Sequence, residues 1–175
     1  MNHSLEIERV WILDGLPEIP SDAECWRIRQ GYLLEHGETD PFHDNPDVAP
    51  VTGRIRSIEC ADGSMRYVHT VKHGEGLVRR ERERSISVDA FETAWEGTKG
   101  RRLEKTRWRV KHGEHTWEID HFERLKLVLV EVELSQVEEN PTMPEWLLGR
   151  IVREVTEEPE YRNVAIAARQ GLLGD

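Results

Sequence analysis

Residues 126–134 read KLVLVEVEL. Side chains alternate along a strand, so Leu127, Leu129, Glu131 and Glu133 fall on one side and the valines on the other. The β-branched valines make the segment strongly strand-prone. Yet it sets two carboxylates on a single face. Residues i and i+2 lie about 6.5–7 Å apart on a strand, and neighbouring strands about 4.8 Å apart. Carboxylates held that close repel unless a cation sits among them. The stretch therefore predicts a β protein with an ionic sheet face.

The same alternation recurs outward along the chain. Period-2 patterning predicts eight strands, over Glu6–Leu13, Trp26–Leu34, Gly53–Cys60, Met65–Lys72, Leu77–Ile86, Leu103–Lys111, Thr116–Glu123 and Leu125–Leu134. Glycine-bearing turns at 61–64, 73–76 and 112–115 imply antiparallel neighbours. Eight such strands in one domain spanning 1–175 predict a mainly β fold, a barrel or a sandwich. Helices are expected at Val88–Glu96, with Ser87 as N-cap and Val88, Phe91 and Trp95 on its buried face, and at Tyr161–Leu172, with Val164, Ala168 and Leu172 inward. A short helical turn is expected at Glu145–Leu148, and a long acidic, proline-bearing loop at His36–Thr52.

Ionic groups share a face in five of the eight segments: Glu6 with Glu8, Arg54 with Arg56, Arg79 with Glu81 and Glu83, Lys105 with Arg107 and Arg109, and Glu131 with Glu133. Paired Glu-x-Glu segments supply the oxygen donors that Mg²⁺ or Mn²⁺ takes. Paired Arg and Lys suit phosphate oxygens. Together they predict a polyphosphate site.

Composition excludes other classes. The chain has 175 residues, 33% charged, with 24 Lys+Arg against 34 Asp+Glu and a formal net charge of −10. An acidic surface argues against nucleic-acid and anionic-membrane partners. The two cysteines, Cys25 and Cys60, form no metal or disulfide pattern. With no signal-like N-terminus and no membrane-length apolar run, a cytoplasmic protein is expected.

Ordered short motifs resemble the CYTH superfamily, named for adenylate cyclase and thiamine triphosphatase and also known as triphosphate tunnel metalloenzymes. They are Glu6-Ile7-Glu8-Arg9-Val10, Gln30-Gly31-Tyr32-Leu33, Arg54-Ile55-Arg56, Lys72, the run Gly76–Glu83, Lys105-Thr106-Arg107-Trp108, Trp117-Glu118-Ile119-Asp120, Glu131-Val132-Glu133-Leu134, Glu154-Val155-Thr156 and Tyr161-Arg162-Asn163. The resemblance implies an eight-stranded antiparallel barrel, flanked by helices, with a charged tunnel that binds and hydrolyses a triphosphate with Mg²⁺ or Mn²⁺. It implies metal ligands at Glu6, Glu8, Glu81, Glu83, Glu131 and Glu133, and phosphate contacts at Arg54, Arg56, Lys72, Arg79, Lys105 and Arg107. It implies that catalysis rests on Glu6, Glu8, Lys72 and Arg79. The short bacterial inorganic-triphosphatase branch fits best. Nucleoside or thiamine triphosphatase and class IV adenylate cyclase are the alternatives.

Position 10 departs from the pattern, which carries lysine where this chain has Val10. Two readings follow: an active enzyme in which Arg27 or Arg29 supplies the missing cation, or a polyphosphate- or nucleotide-binding protein without efficient turnover. Asp120 is read as a further tunnel acid or, in preference, a residue that caps or pairs within the barrel, and Glu154 as either a surface carboxylate or a metal contact at the tunnel end. The C-terminal helix is read as a plug for one barrel end or a homodimer contact.

Overall fold

The computed structural model describes residues 4–34, 44–73 and 79–174, with the side chains of residues 4–6, 72–73 and 79–81 left out of the description. The strands are β1 (Ser4–Leu13), β2 (Glu24–Tyr32), β3 (Arg54–Cys60), β4 (Met65–His73), β5 (Arg79–Ser85), β6 (Arg102–His112), β7 (His115–Phe122), β8 (Leu127–Leu134) and β9 (Ile151–Glu154). Two helices complete it, α1 (Val88–Trp95) and α2 (Asn163–Gly171). The mainly β class and the eight expected strands are present. Residues 74–76 of the expected turn, residues 36–43 of the expected 36–52 loop and the start of the Leu77–Ile86 segment lie outside the described residues.

All described pairings are antiparallel, in the order β5-β4-β3-β2-β6-β7-β8-β1-β9. β5 also pairs with β1, over Ser4↔Glu81, Leu5↔Arg80 and Glu6↔Arg79. That pairing links the first and last of the eight expected strands in the order; among the described residues it is three pairs long, against the seven-pair ladder from Ile7↔Leu134 to Leu13↔Val128 that joins β1 to β8. The ninth strand, β9, was not predicted. It is four residues long and lies on β1 through Trp11↔Glu154 and Ile12↔Arg153.

Direct register partners point to the same side of a sheet. One side, the ionic face, follows from this alternation and is described below. The opposite face holds most of the core. Ile7, Trp11, Leu13, Trp117, Ile119, Val128, Val130 and Val132 pack together, with Leu147 and Trp146 of the 3₁₀ turn Glu145–Leu147 laid over them. Farther round, α1 covers Ile55 with Phe91, Ala94 and Trp95. Ser87 caps α1 by accepting the Ala90 N–H at 3.3 Å, as expected, but Ala90 is buried and Val88 exposed.

The helix α2 differs from its predicted orientation. Ile166, Ala167 and Gln170 are buried, whereas Val164 and Leu172 are exposed. Ile166 and Ala167 pack on Leu103, Phe122 and Leu129, which belong to the ionic face. α2 therefore plugs one end of that face. Gly31 has a packing reason here: a Cβ would meet the Thr98 side chain at 2.7 Å.

His69 ties β4 to the segment before β3. Its Nε2 donates to the Thr52 carbonyl at 2.9 Å and its Nδ1 accepts from Arg84 Nε at 3.2 Å, which fixes the neutral tautomer. Arg84 also donates to the carbonyls of Asn45 at 2.7 Å and Val48 at 2.9 Å. Burial pushes His69 down to about 4. A histidine depressed on folding contributes fully above its unfolded pKa near 6.5, and stability falls as pH drops from there toward the folded value. Lowering pH from 7 to 4 should therefore remove roughly 3 kcal/mol through this residue. Urea midpoints across that range check it, with His69→Gln losing that part of the slope.

Candidate functional site

The ladders show which predicted residues share a face. Glu8 partners Glu133, and Val10 partners Glu131. Glu131 partners Glu118, and Asp120 partners both Leu129 and Arg107. Across β2, Lys105 follows Ile28, Ile28 follows Ile58, and Gln30 follows Arg56. Arg54 partners Thr70, and Thr70 partners Glu83. Lys72 partners Glu81, and Glu6 partners Arg79. By register, all twelve predicted positions (Glu6, Glu8, Arg54, Arg56, Lys72, Arg79, Glu81, Glu83, Lys105, Arg107, Glu131 and Glu133) fall on the ionic face. The side chains of Glu6, Lys72, Arg79 and Glu81 lie outside the description, so register alone places them.

The described side chains form two clusters. On β3–β5, Arg56 Nη2 donates to Glu83 Oε2 at 2.6 Å. Thr70 Oγ1 donates to the same oxygen at 3.2 Å and accepts from Arg54 Nη2 at 3.3 Å. On β6–β8 the pairing is denser and drier. Arg107 grips Asp120 with both branches, Nε to Oδ1 at 2.6 Å and Nη2 to Oδ2 at 2.7 Å. It also donates to Glu118 and Glu131. Lys105 Nζ donates to Asp120 Oδ2 at 2.6 Å and to Asn163 Oδ1, on α2, at 3.2 Å. Asp120 is the paired interior residue that was expected.

Burial sets the charge states. Alone it would raise Asp120, but the Arg107 and Lys105 charges and their hydrogen bonds hold that carboxyl at about 2. Glu131 goes the other way. Burial, with the nearby Asp120 and Glu8 carboxylates, pushes it up to about 8 against the pull of Arg107. Glu118 is drawn below its usual range by Arg107 and Arg109, which outweigh its burial.

A cavity of about 460 Å³ opens beside this cluster, lined in part by Glu8, Glu118, Glu131, Glu133 and Arg109. Its donors are carboxylate oxygens, the chemistry of a hard divalent cation. Among the described residues no three acidic, histidine or cysteine side chains already converge on one point as ligands. What the cavity offers is the donor type alone, the carboxylates of Glu8, Glu118, Glu131 and Glu133 along its lining.

Two sequence expectations are corrected, and for Glu154 the surface reading holds. Arg27 partners Thr106 and Arg29 partners Glu104, so both sit on the opposite face and cannot stand in for a cation at position 10. Arg29 lies 4.6 Å from the Trp95 ring instead. Glu154 accepts from Arg9 Nε at 3.0 Å and Nη2 at 2.7 Å, also on the opposite face, so it makes no contact at the site. Two cavity residues, Glu118 and Arg109, lay outside the assigned metal-ligand and phosphate-contact sets, although Arg109 was placed on the face of Lys105 and Arg107. Each repeats a recognised neighbour at i±2, which is the signal that would have found them.

The class defined so far is a mainly β chain with cations and carboxylates sorted onto one sheet face. The comparisons give that class its family. No family model matches the chain. The inorganic triphosphatase of Nitrosomonas europaea is 35% identical over 166 residues, covering 93% of this chain and 96% of its own. Among solved structures, the inorganic triphosphatase NE1496 superposes with a TM-score of 0.56 at 30% identity, over 95% of this chain and 97% of its own. Another, solved as the hypothetical protein NE1496, gives 0.57 at 32%, over 93% and 97%. The chain belongs to the inorganic-triphosphatase branch of the CYTH superfamily.

Asp120 bridges two buried cations, and removing its charge leaves Lys105 without a carboxylate and Arg107 without its bidentate partner. Asp120→Asn should cost about 3–5 kcal/mol of stability, read as a lowered urea midpoint. Glu83→Gln, in the more exposed cluster, should cost no more than about 1 kcal/mol.

Proposed function

We propose that this protein hydrolyses inorganic triphosphate on the ionic face, with a divalent cation, Mg²⁺ or Mn²⁺, held by carboxylates at the cavity. The observation that carries the reading is the register. It brings Glu-x-Glu and Arg-x-Arg segments far apart in sequence onto one face, beside a cavity large enough for a small ligand. The similarity to an inorganic triphosphatase over nearly the whole chain supports the substrate class.

In this proposal Glu8, Glu131 and Glu133 hold the cation at the cavity, and Glu6, Glu81 and Glu83 complete the set from the β1–β5 side. The chemistry such an ion supplies is Lewis-acid neutralisation of phosphate charge. Arg54, Arg56, Lys72, Arg79, Lys105 and Arg107 present donors to the phosphate oxygens. Glu6, Glu8, Lys72 and Arg79 are the groups assigned to the catalytic step. In that step water attacks a terminal phosphorus, the P–O–P bond breaks, and orthophosphate and pyrophosphate leave with a proton released to solvent.

The resting pairs explain how the cations are kept in place. Arg56 is held by Glu83, whose side chain is 46% exposed, so a phosphate oxygen can replace that carboxylate at little cost. Arg107 is fixed from below by the buried Asp120, which leaves Glu118 and Glu131 as its exchangeable partners. α2 closes the apolar end of the face, so the open cavity is the side from which a triphosphate enters.

The expected result is phosphate release from tripolyphosphate with Mg²⁺ or Mn²⁺, abolished by a chelator. Glu131→Gln should lower kcat by roughly 100-fold or more. A wild-type protein that binds tripolyphosphate but releases no phosphate would show a binding module instead. In that case Val10→Lys restoring turnover would locate the defect at position 10.

A further inference from the structure

On the ionic face, Val10, Glu131, Glu118 and Arg109 are successive register partners across β1, β8, β7 and β6, and Glu24 on β2 continues the row. The row begins at a valine packed with the α2 cluster and runs to an arginine that lines the cavity. Nothing in the chain's resemblance to its family assigns a role to that arginine.

Arg109 differs from the two cations that precede it on β6. Its side chain is 31% exposed, against 9% for Arg107 and 2% for Lys105. Its Nε donates to Glu118 Oε1 at 2.8 Å and its Nη1 to Glu24 Oε2 at 3.2 Å. Its guanidinium carbon lies 4.6 Å from the Trp26 ring centroid. Its Nη2 makes no hydrogen bond to a described residue. Two acceptors and an aromatic ring thus fix the plane of the fork and leave one nitrogen open. Such a group is preorganised for an oxyanion, because little of its freedom remains to be lost on binding. The Arg107 fork, in contrast, is already enclosed by Asp120, Glu118 and Glu131.

We infer that Arg109 is a phosphate-contacting residue of this site, donating through Nη2 to a triphosphate oxygen while Glu118 and Trp26 hold its orientation. The inference rests on the triphosphatase reading. It places a cation on the same cross-strand row as Val10, which Arg27 and Arg29, on the opposite face, cannot do.

The test is steady-state phosphate release from tripolyphosphate with Mg²⁺ by wild type, Arg109→Gln, Arg109→Lys and Arg27→Gln, each checked for folding by its thermal melt. Arg109→Gln should raise KM by about ten-fold or more with a much smaller change in kcat. Arg109→Lys should fall between, since an ammonium keeps the charge but not the fork. Arg27→Gln, the same charge change on the opposite face, should leave both constants unchanged. If Arg109→Gln fails to fold, Arg109→Lys carries the test, and a wild-type KM there overturns the inference. A folded Arg109→Gln with KM within about two-fold of an active wild type also overturns it, and leaves the triphosphatase reading standing. A wild type that neither hydrolyses nor binds tripolyphosphate overturns both.

Discussion

A guanidinium buried within a sheet must be neutralised where it stands, and the rest of the site follows from meeting that need for Arg107. Desolvating an unpaired charge costs several kcal/mol. The structure meets it with the carboxylates of Asp120, bidentate from the neighbouring strand, and of Glu118, while Glu131 accepts a further hydrogen bond. Those contacts require β6, β7 and β8 to hold a single register, since a slip of one residue would turn every ionic side chain to the opposite face. The apolar packing of Trp117, Ile119, Val130 and Val132 on that opposite face fixes the same register from behind.

Along β6, the ionic face changes character in steps of two residues. Leu103 packs under α2, Lys105 and Arg107 sit in the dry ion cluster, and Arg109 reaches the cavity. The sheet is thus apolar and plugged at one end, charged and dry in the middle, and open at the other. This ordering lets a net-acidic chain concentrate its cations where an anion can meet them. Among the described residues no helix is long and apolar enough to cross a membrane.

Much of this was legible in the sequence, because strand alternation is a local property. KLVLVEVEL, Arg54-Ile55-Arg56 and Lys105-Thr106-Arg107 each declare a face, and the register brings those faces together. What was not legible depends on contacts between distant segments. The four residues of β9 are too few to show a period. The buried side of α2 is chosen by Leu103 and Phe122, not by its own apolar spacing, so Ile166 and Gln170 go in and Val164 stays out. Arg27 and Arg29 looked available because the second strand was expected to neighbour the first, whereas β2 pairs with β3 and β6. The pairing Arg27↔Thr106 then puts that side chain on the face opposite Arg107.

The most direct test of the account is a crystal structure with tripolyphosphate and Mn²⁺, whose anomalous scattering locates the ion independently of the phosphates. The account predicts the manganese among Glu8, Glu131 and Glu133, and phosphate oxygens in hydrogen-bond contact with Arg56 and Arg107 on the same sheet face. Manganese or phosphate bound on the opposite face, with the Glu8–Glu131–Glu133 cavity empty, would contradict it.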